Sequence, residues 1–231
     1  MLLDILQDGF TREGLISFLL FLPVMLISLP FHEAAHAWAA NKMGDPTARN
    51  FGRLTLNPVR HLDLAGTLCM LLLGVGWAKP VPVNSRNFRK PRQGMALTAL
   101  AGPVSNLFLC FVCSLLYRLA WVFLLPLVTE AWVEVFLALF NFLYLMSFYN
   151  AALCVFNLIP IPPLDGSRIV SLILPPKWYY AVMKYERYLM YGFLILVFVC
   201  SNVFRISLVS VPASWICDSF QSLFSLIPWL S

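Results

Sequence analysis

GLISFLLFLPVMLISLPFHEAAHAWAA, residues 14–40, is long and apolar enough to cross a bilayer, and it carries His32-Glu33-Ala34-Ala35-His36 near its far end. As a helix, this stretch puts the two imidazoles on one face at i and i+4, where they can chelate a single zinc ion. Glu33, beside the first imidazole, can reach a metal-held water and take its proton. Charged and polar side chains are costly at membrane depth, so an intramembrane cluster of this kind points to function. The bland alternative is two helix histidines satisfied by neighbouring carbonyls. With 3 His in 231 residues, the pattern arises by chance about once per thousand shuffles, which makes coincidence a poor rival.

The rest of the composition agrees with a membrane setting. Hydrophobic residues make up 60% of the chain and charged ones 12%, and the mean hydropathy is +0.79. Further spans are expected over residues 95–125, 132–158 and 189–209. The apolar stretch 62–78 is shorter and interrupted by Gly66, Gly74 and Gly76, and it reads as a re-entrant segment. The expected organisation is a single membrane-embedded domain over 1–231, with a core over about 14–210 and a tail, 211–231, that is interfacial or a final membrane segment.

Charge sets the orientation. Lys42, Arg49, Arg53, Arg60, Lys79, Arg86, Arg89, Lys90 and Arg92 lie in one connection, and Arg168, Lys177, Lys184 and Arg187 in another. The turn between the second and third spans holds Glu130 and Glu134 instead. The positive-inside rule puts both basic connections in the cytoplasm and the N-terminus outside, a parity that requires 62–78 to enter and leave on one side. The net charge of +5 serves orientation and headgroup attraction and needs no nucleic-acid partner. Asp4, Asp8 and Glu13 replace the basic region of a cleavable signal, so the first span is expected to be retained. Cys110-Phe111-Val112-Cys113 has metal-like spacing but no second pair, and it reads as packing.

Two histidines leave a tetrahedral zinc short of a protein ligand. The third is His61, a carboxylate or a cysteine, and the best candidate is Asp165 in Asn157-Leu-Ile-Pro160-Ile-Pro162-Pro163-Leu-Asp165-Gly166. The prolines end the third span in extended backbone, tolerated at membrane depth only where it is packed or lines a wet cavity. The bland reading of Asp165 is a plain helix N-cap.

The two motifs together resemble the site-2 protease family of intramembrane zinc metalloproteases, in particular its small bacterial and archaeal members that lack a PDZ domain. Gly44-Asp45-Pro46-Thr47-Ala48, Gly52-Arg53-Leu54-Thr55-Leu56-Asn57-Pro58, Gly76-Trp77-Ala78-Lys79-Pro80-Val81-Pro82-Val83 and Ala101-Gly102-Pro103-Val104-Ser105-Asn106 carry the resemblance across about residues 30–170. His61-Leu62-Asp63-Leu64-Ala65-Gly66 departs from it, with Leu-Ala where a proline-containing turn is expected.

The resemblance implies one Zn2+ per chain held by His32, His36 and Asp165, with Glu33 as general base. Asn106, after an expected helix break at Gly102-Pro103, and Asn157 are the side chains expected near the oxyanion; their bland role is interhelical hydrogen bonding. Lys79-Pro80-Val81-Pro82-Val83 alternates apolar residues with proline, which suits an exposed edge, and Arg53–Leu56 can pair beside it as a short β-hairpin near the active site. Such an edge, with Lys79, Val81 and Val83, can clamp an unwound substrate as an added strand. His61 is a donor behind the metal ligands, a gate or, the commonest fate of a lone loop histidine, a bystander at the membrane surface.

The expected fold is therefore an all-α polytopic membrane protein of about four to six transmembrane helices, with a re-entrant segment and that hairpin. The expected activity is intramembrane endopeptidase action on single-span proteins or signal-peptide remnants in a prokaryotic cell membrane, with the active site toward the cytoplasm. The alternative is a non-proteolytic metal-binding or adaptor protein, which has no need of a base beside the metal. A transporter is disfavoured by the lack of paired broken helices in matching halves. Oligomeric state has no signal in the sequence.

Overall fold

The computed structural model describes residues 11–73, 76–175 and 209–227, with isolated positions between 177 and 196. Seven α-helices are drawn from these: α1 Arg12–Lys42, α2 Thr47–Asn50, α3 Leu64–Leu73, α4 Pro91–Phe123, α5 Val133–Leu158, α6 Asp165–Val170 and α7 Ser210–Ser225. Three of them, over Gly14–Lys42, Pro91–Phe123 and Val133–Leu158, are long and apolar enough to cross a membrane. The span expected at 189–209 falls mostly outside the described residues.

α1 starts at Thr11, whose hydroxyl accepts from the Gly14 N–H at 3.1 Å, and its 31 residues extend about 46 Å. Pro23 and Pro30 lie inside it, as Pro103 lies inside α4. The helix break expected at Gly102-Pro103 does not occur. One missing N–H is tolerated where Gly102, Pro103 and Asn106 are all buried against neighbouring helices.

α4 and α5 pack along each other, and α1 lies across both. Phe21, Val24 and Met25 of α1, Cys113 of α4 and Met146 of α5 form the main apolar cluster, joined by Met70 of α3. α3 is 10 residues long, about 15 Å, half of what a full crossing requires. An antiparallel bridge between Leu62 and Ala78 brings the two ends of this segment together. It is the only β-pairing among the described residues, so the expected hairpin is reduced to one bridge. Arg53–Leu56 does not pair with the 79–83 stretch; His61 takes that place, its carbonyl accepting from the Lys79 N–H at 2.7 Å. The prolines at 80 and 82 lack the N–H that a longer ladder needs.

Residues 210–225, drawn from the expected tail, form a helix that packs Ala213 and Cys217 against Cys110 and Ala151. Cys110 and Cys113 are both buried in the bundle as packing residues.

Below α1, Asp45 is fully buried and binds its surroundings together. Its carboxylate accepts from the Thr47 N–H and hydroxyl, from the Asn84 N–H at 2.7 Å and from the Asn87 amide at 2.7 Å. The loop ahead of α4 is thereby tied to the end of α1.

Candidate metal centre

His32 and His36 are one turn apart on α1, and both are buried. Their surroundings determine which nitrogen carries hydrogen. Nδ1 of His36 faces the Thr98 carbonyl at 2.7 Å, and a carbonyl only accepts, so Nδ1 is the protonated nitrogen. Nδ1 of His32 faces Oδ1 of Asn106 at 2.5 Å and donates in the same way. Both Nε2 atoms therefore present lone pairs, and they lie 2.9 Å apart.

The third group arrives from the end of α5. Ile159 leaves the helix, and Pro160, Pro162 and Pro163 keep the chain extended or turning until α6 begins at Asp165. Gly166 lies directly on the last carbonyls of α5, where a Cβ would fall 2.3 Å from the Leu158 oxygen. Arg92, in the first turn of α4, donates to the carbonyls of Ser171 and Leu174 and holds the far end of α6. Asp165 does not serve as an N-cap, since Leu164 holds that position with no side-chain hydrogen bond. Its Oδ2 lies 3.2 Å from Nε2 of His32 and 3.3 Å from Nε2 of His36, with no hydrogen-bond partner of its own.

Three electron-pair donors thus converge with no proton among them. Metal–ligand bonds of about 2.0–2.2 Å in a tetrahedron separate ligand atoms by about 3.3–3.6 Å; the two carboxylate–imidazole distances match the lower end, and the two imidazole nitrogens, at 2.9 Å, lie somewhat closer. The donor set of two neutral imidazoles and a carboxylate fits zinc, and it is the only such group of three among the described residues.

α4 closes on this cluster through Gly102. A Cβ there would lie 2.4 Å from Nε2 of His36 and 2.5 Å from Cε1 of His32. Only a residue without a side chain lets the two helices approach so closely.

A cavity of about 400 Å³ opens beside the three groups, lined also by Glu33, Asn157, Val81, Val83 and Arg168. Asn157 spends one amide hydrogen on the Leu153 carbonyl at 3.0 Å. Three of the residues singled out in the sequence lie elsewhere. Asn106 is fully buried behind His32, with its oxygen on that ring and its amide on Asn150. Lys79 lies on a separate groove with Arg53 and Arg60. His61 is fully buried, not a surface residue, and its Nε2 donates to the Thr55 carbonyl at 2.7 Å. Sequence reasoning missed the role of Gly102, the entry of Arg168 and the partners of Asn106. The signal for Arg168 was present, because it lies one helical turn after Asp165.

The description Peptidase family M50 matches residues 20–199. The protein named "Putative zinc metalloprotease YwhC" from Bacillus subtilis (strain 168) is 43% identical over 176 residues, covering 74% of this chain and 77% of that one. "Putative zinc metalloprotease Rip2" of Mycolicibacterium smegmatis is 30% identical over 185 residues, covering 78% of this chain and 66% of its own length. Its namesake in Mycobacterium tuberculosis (strain ATCC 25618 / H37Rv) is 31% identical over 177 residues, and 63% of its length is covered. No solved structure matches the chain. With a converging His-His-Asp cluster between apolar helices and a family match across most of its length, the chain belongs to peptidase family M50, the site-2 proteases, and is a multi-pass membrane metalloprotease that uses zinc.

Proposed function

We propose that the protein is an intramembrane endopeptidase in which His32, His36 and Asp165 hold one zinc ion and Glu33 is the general base. The observation that carries this reading is the convergence of two lone-pair Nε2 atoms and an unpartnered carboxylate oxygen, with Glu33 on the wall of the same cavity. Zinc in that position lowers the pKa of water and polarises a carbonyl, which supplies a nucleophile where bulk water is scarce. Glu33 accepts the proton from the attacking water and returns it to the leaving amine. The second amide hydrogen of Asn157 is a donor available to the oxyanion from the cavity wall, while Asn106 orients His32.

Pro80, Val81 and Val83 line the catalytic cavity, while Pro82 faces the neighbouring groove that Pro80 also borders, so the side chains of residues 81–83 alternate as in an extended segment. An unwound substrate strand adds there, with Lys79 anchoring the edge through its bond to His61. The substrates are single-span proteins or signal-peptide remnants, whose helices must unwind before cleavage. The Leu62–Ala78 bridge supports a re-entrant path for α3, and with it an N-terminus outside and an active site toward the cytoplasm of a prokaryotic cell. Residues 1–231 then act as one membrane-embedded domain of about four to six spans.

The test is zinc analysis and cleavage of single-span model substrates by the wild type and Glu33→Gln. One zinc in both, with cleavage lost by about 10²–10⁴-fold in the variant, is the expected result. One zinc with equal cleavage removes Glu33 from the mechanism. No cleavage by either protein favours a metal-binding or adaptor role, and absence of zinc from the wild type overturns the centre.

A further inference from the structure

His36 takes its tautomer directly from a backbone carbonyl, that of Thr98. His32 has no carbonyl at its Nδ1; it has the Asn106 side chain, and an amide can turn either end toward it. Turned the wrong way, the amide would present N–H to Nδ1, move the imidazole proton to Nε2 and remove the lone pair from the metal site. What prevents this lies on the other side of the Asn106 amide. The Asn106 Nδ2 donates to Oδ1 of Asn150 at 2.8 Å, and the Asn150 Nδ2 donates to the Met146 carbonyl at 2.7 Å and to the Ser28 hydroxyl at 2.8 Å. Ser28, Asn106 and Asn150 are all fully buried.

We infer that Asn150, seated on the Met146 carbonyl and Ser28, is a positioning residue that sets the tautomer of His32 through Asn106. The polarity of the chain follows from its first member. A carbonyl cannot donate, so Asn150 must give it the amide nitrogen and turn its oxygen to Asn106. Asn106 must then give nitrogen to Asn150 and oxygen to His32. A flipped Asn106 would set two acceptor oxygens against each other with no water to separate them. One relay thus runs from α5 through α4 to α1, and each link has only one satisfied direction.

This inference rests on His32 being a zinc ligand, and the experiment tests that separately. Zinc affinity of the purified protein in detergent is measured by chelator competition for the wild type, Asn150→Leu, Asn106→Asp, the double variant and His32→Ala. Asn150→Leu is expected to weaken zinc binding by about 10–100-fold, the usual effect of losing a partner behind a ligand. Asn106→Asp has acceptor oxygens on both branches, so it holds the Nδ1 proton whichever way it turns. In that background Asn150→Leu also removes the acceptor oxygen that faces the new carboxylate, so affinity is expected to stay unchanged or to rise, and not to weaken. A merely structural role for Asn150 would weaken zinc equally in both backgrounds, and that result overturns the relay. So does an Asn150→Leu protein with wild-type affinity, provided His32→Ala has lost its zinc. If His32→Ala keeps its zinc at full affinity, the ligand assignment falls first and the relay with it. Should the leucine not fold, Asn150→Ala gives the same comparison without added bulk.

Discussion

Substituting Gly102 by alanine plants a methyl group 2.4 Å from Nε2 of His36 and 2.5 Å from Cε1 of both histidines. Ordinary carbon contacts begin about 1 Å further out, so α4 must retreat or both rings must rotate by about that amount. Neither motion is free. The Nδ1 atoms are held by Thr98 and Asn106, which belong to α4 itself, so a retreat of the helix pulls on the rings it is meant to spare. Overpacking of this kind costs about 1–3 kcal/mol of fold stability. Its larger effect is on the metal, because a working site tolerates ligand displacements of only about 0.2 Å. A shift of about 1 Å near reacting groups costs about 10²-fold in rate. The expected result for Gly102→Ala is therefore a folded protein with zinc affinity reduced by at least tenfold and cleavage by about a hundredfold. Chelator competition and cleavage of a single-span substrate read the two effects, and the melting curve of the metal-free protein reads the fold. Wild-type affinity and wild-type cleavage in Gly102→Ala would refute the argument that the absent side chain sets the size of the centre.

Changing both Val81 and Val83 to proline removes the edge N–H groups that an added strand needs, so cleavage should fall at least tenfold while zinc analysis still gives one ion per chain; retained cleavage ends the clamp proposal. His61→Ala removes a fully buried donor to the Thr55 carbonyl, and about 1–3 kcal/mol of stability should be lost with unchanged zinc content; loss of zinc would contradict its placement away from the centre. Asp45 carries a pH dependence. Burial alone pushes its carboxyl up, but hydrogen bonds from Thr47, Asn87 and the Asn84 backbone outweigh this and hold it below the ordinary carboxylate value. The unfolded chain therefore takes up this proton first as pH falls. The stability that Asp45 contributes is complete at neutral pH and is lost below about pH 4, as pH falls through the folded-state value. Asp45→Asn should be less stable at pH 7 and show a shallower acid limb in melts from pH 7 to 3.

The residues of the candidate metal centre were legible because chemistry constrains their spacing. His32 and His36 had to be one helical turn apart, and Asp165 had to follow prolines that stop a helix inside the membrane. Asn106 was legible as a polar residue in an apolar helix, but its role was not, because the partner that orients it, Asn150, lies 44 residues away on another helix. The hairpin was over-read for a related reason. Alternating valine and proline does specify extended backbone, but pairing needs a partner at the right distance, and among the described residues only Leu62 and Ala78 meet. The contact at Gly102 was invisible, since a glycine in an apolar run looks the same whether it faces lipid or an imidazole.

The two prolines of α1 give that helix uneven mechanics. Pro23 and Pro30 lack the N–H groups that would bind the carbonyls of Leu19 and Leu26, so the ladder is interrupted twice within two turns. Bending stiffness is lowest there. From Phe31 onward the ladder contains no proline, and the rings are fixed from α4 through Thr98 and Asn106. Bending forces on α1 are therefore taken up as curvature around Pro23 and Pro30, ahead of His32. The compliant and the rigid portions of this rod adjoin at Pro30, two residues ahead of His32.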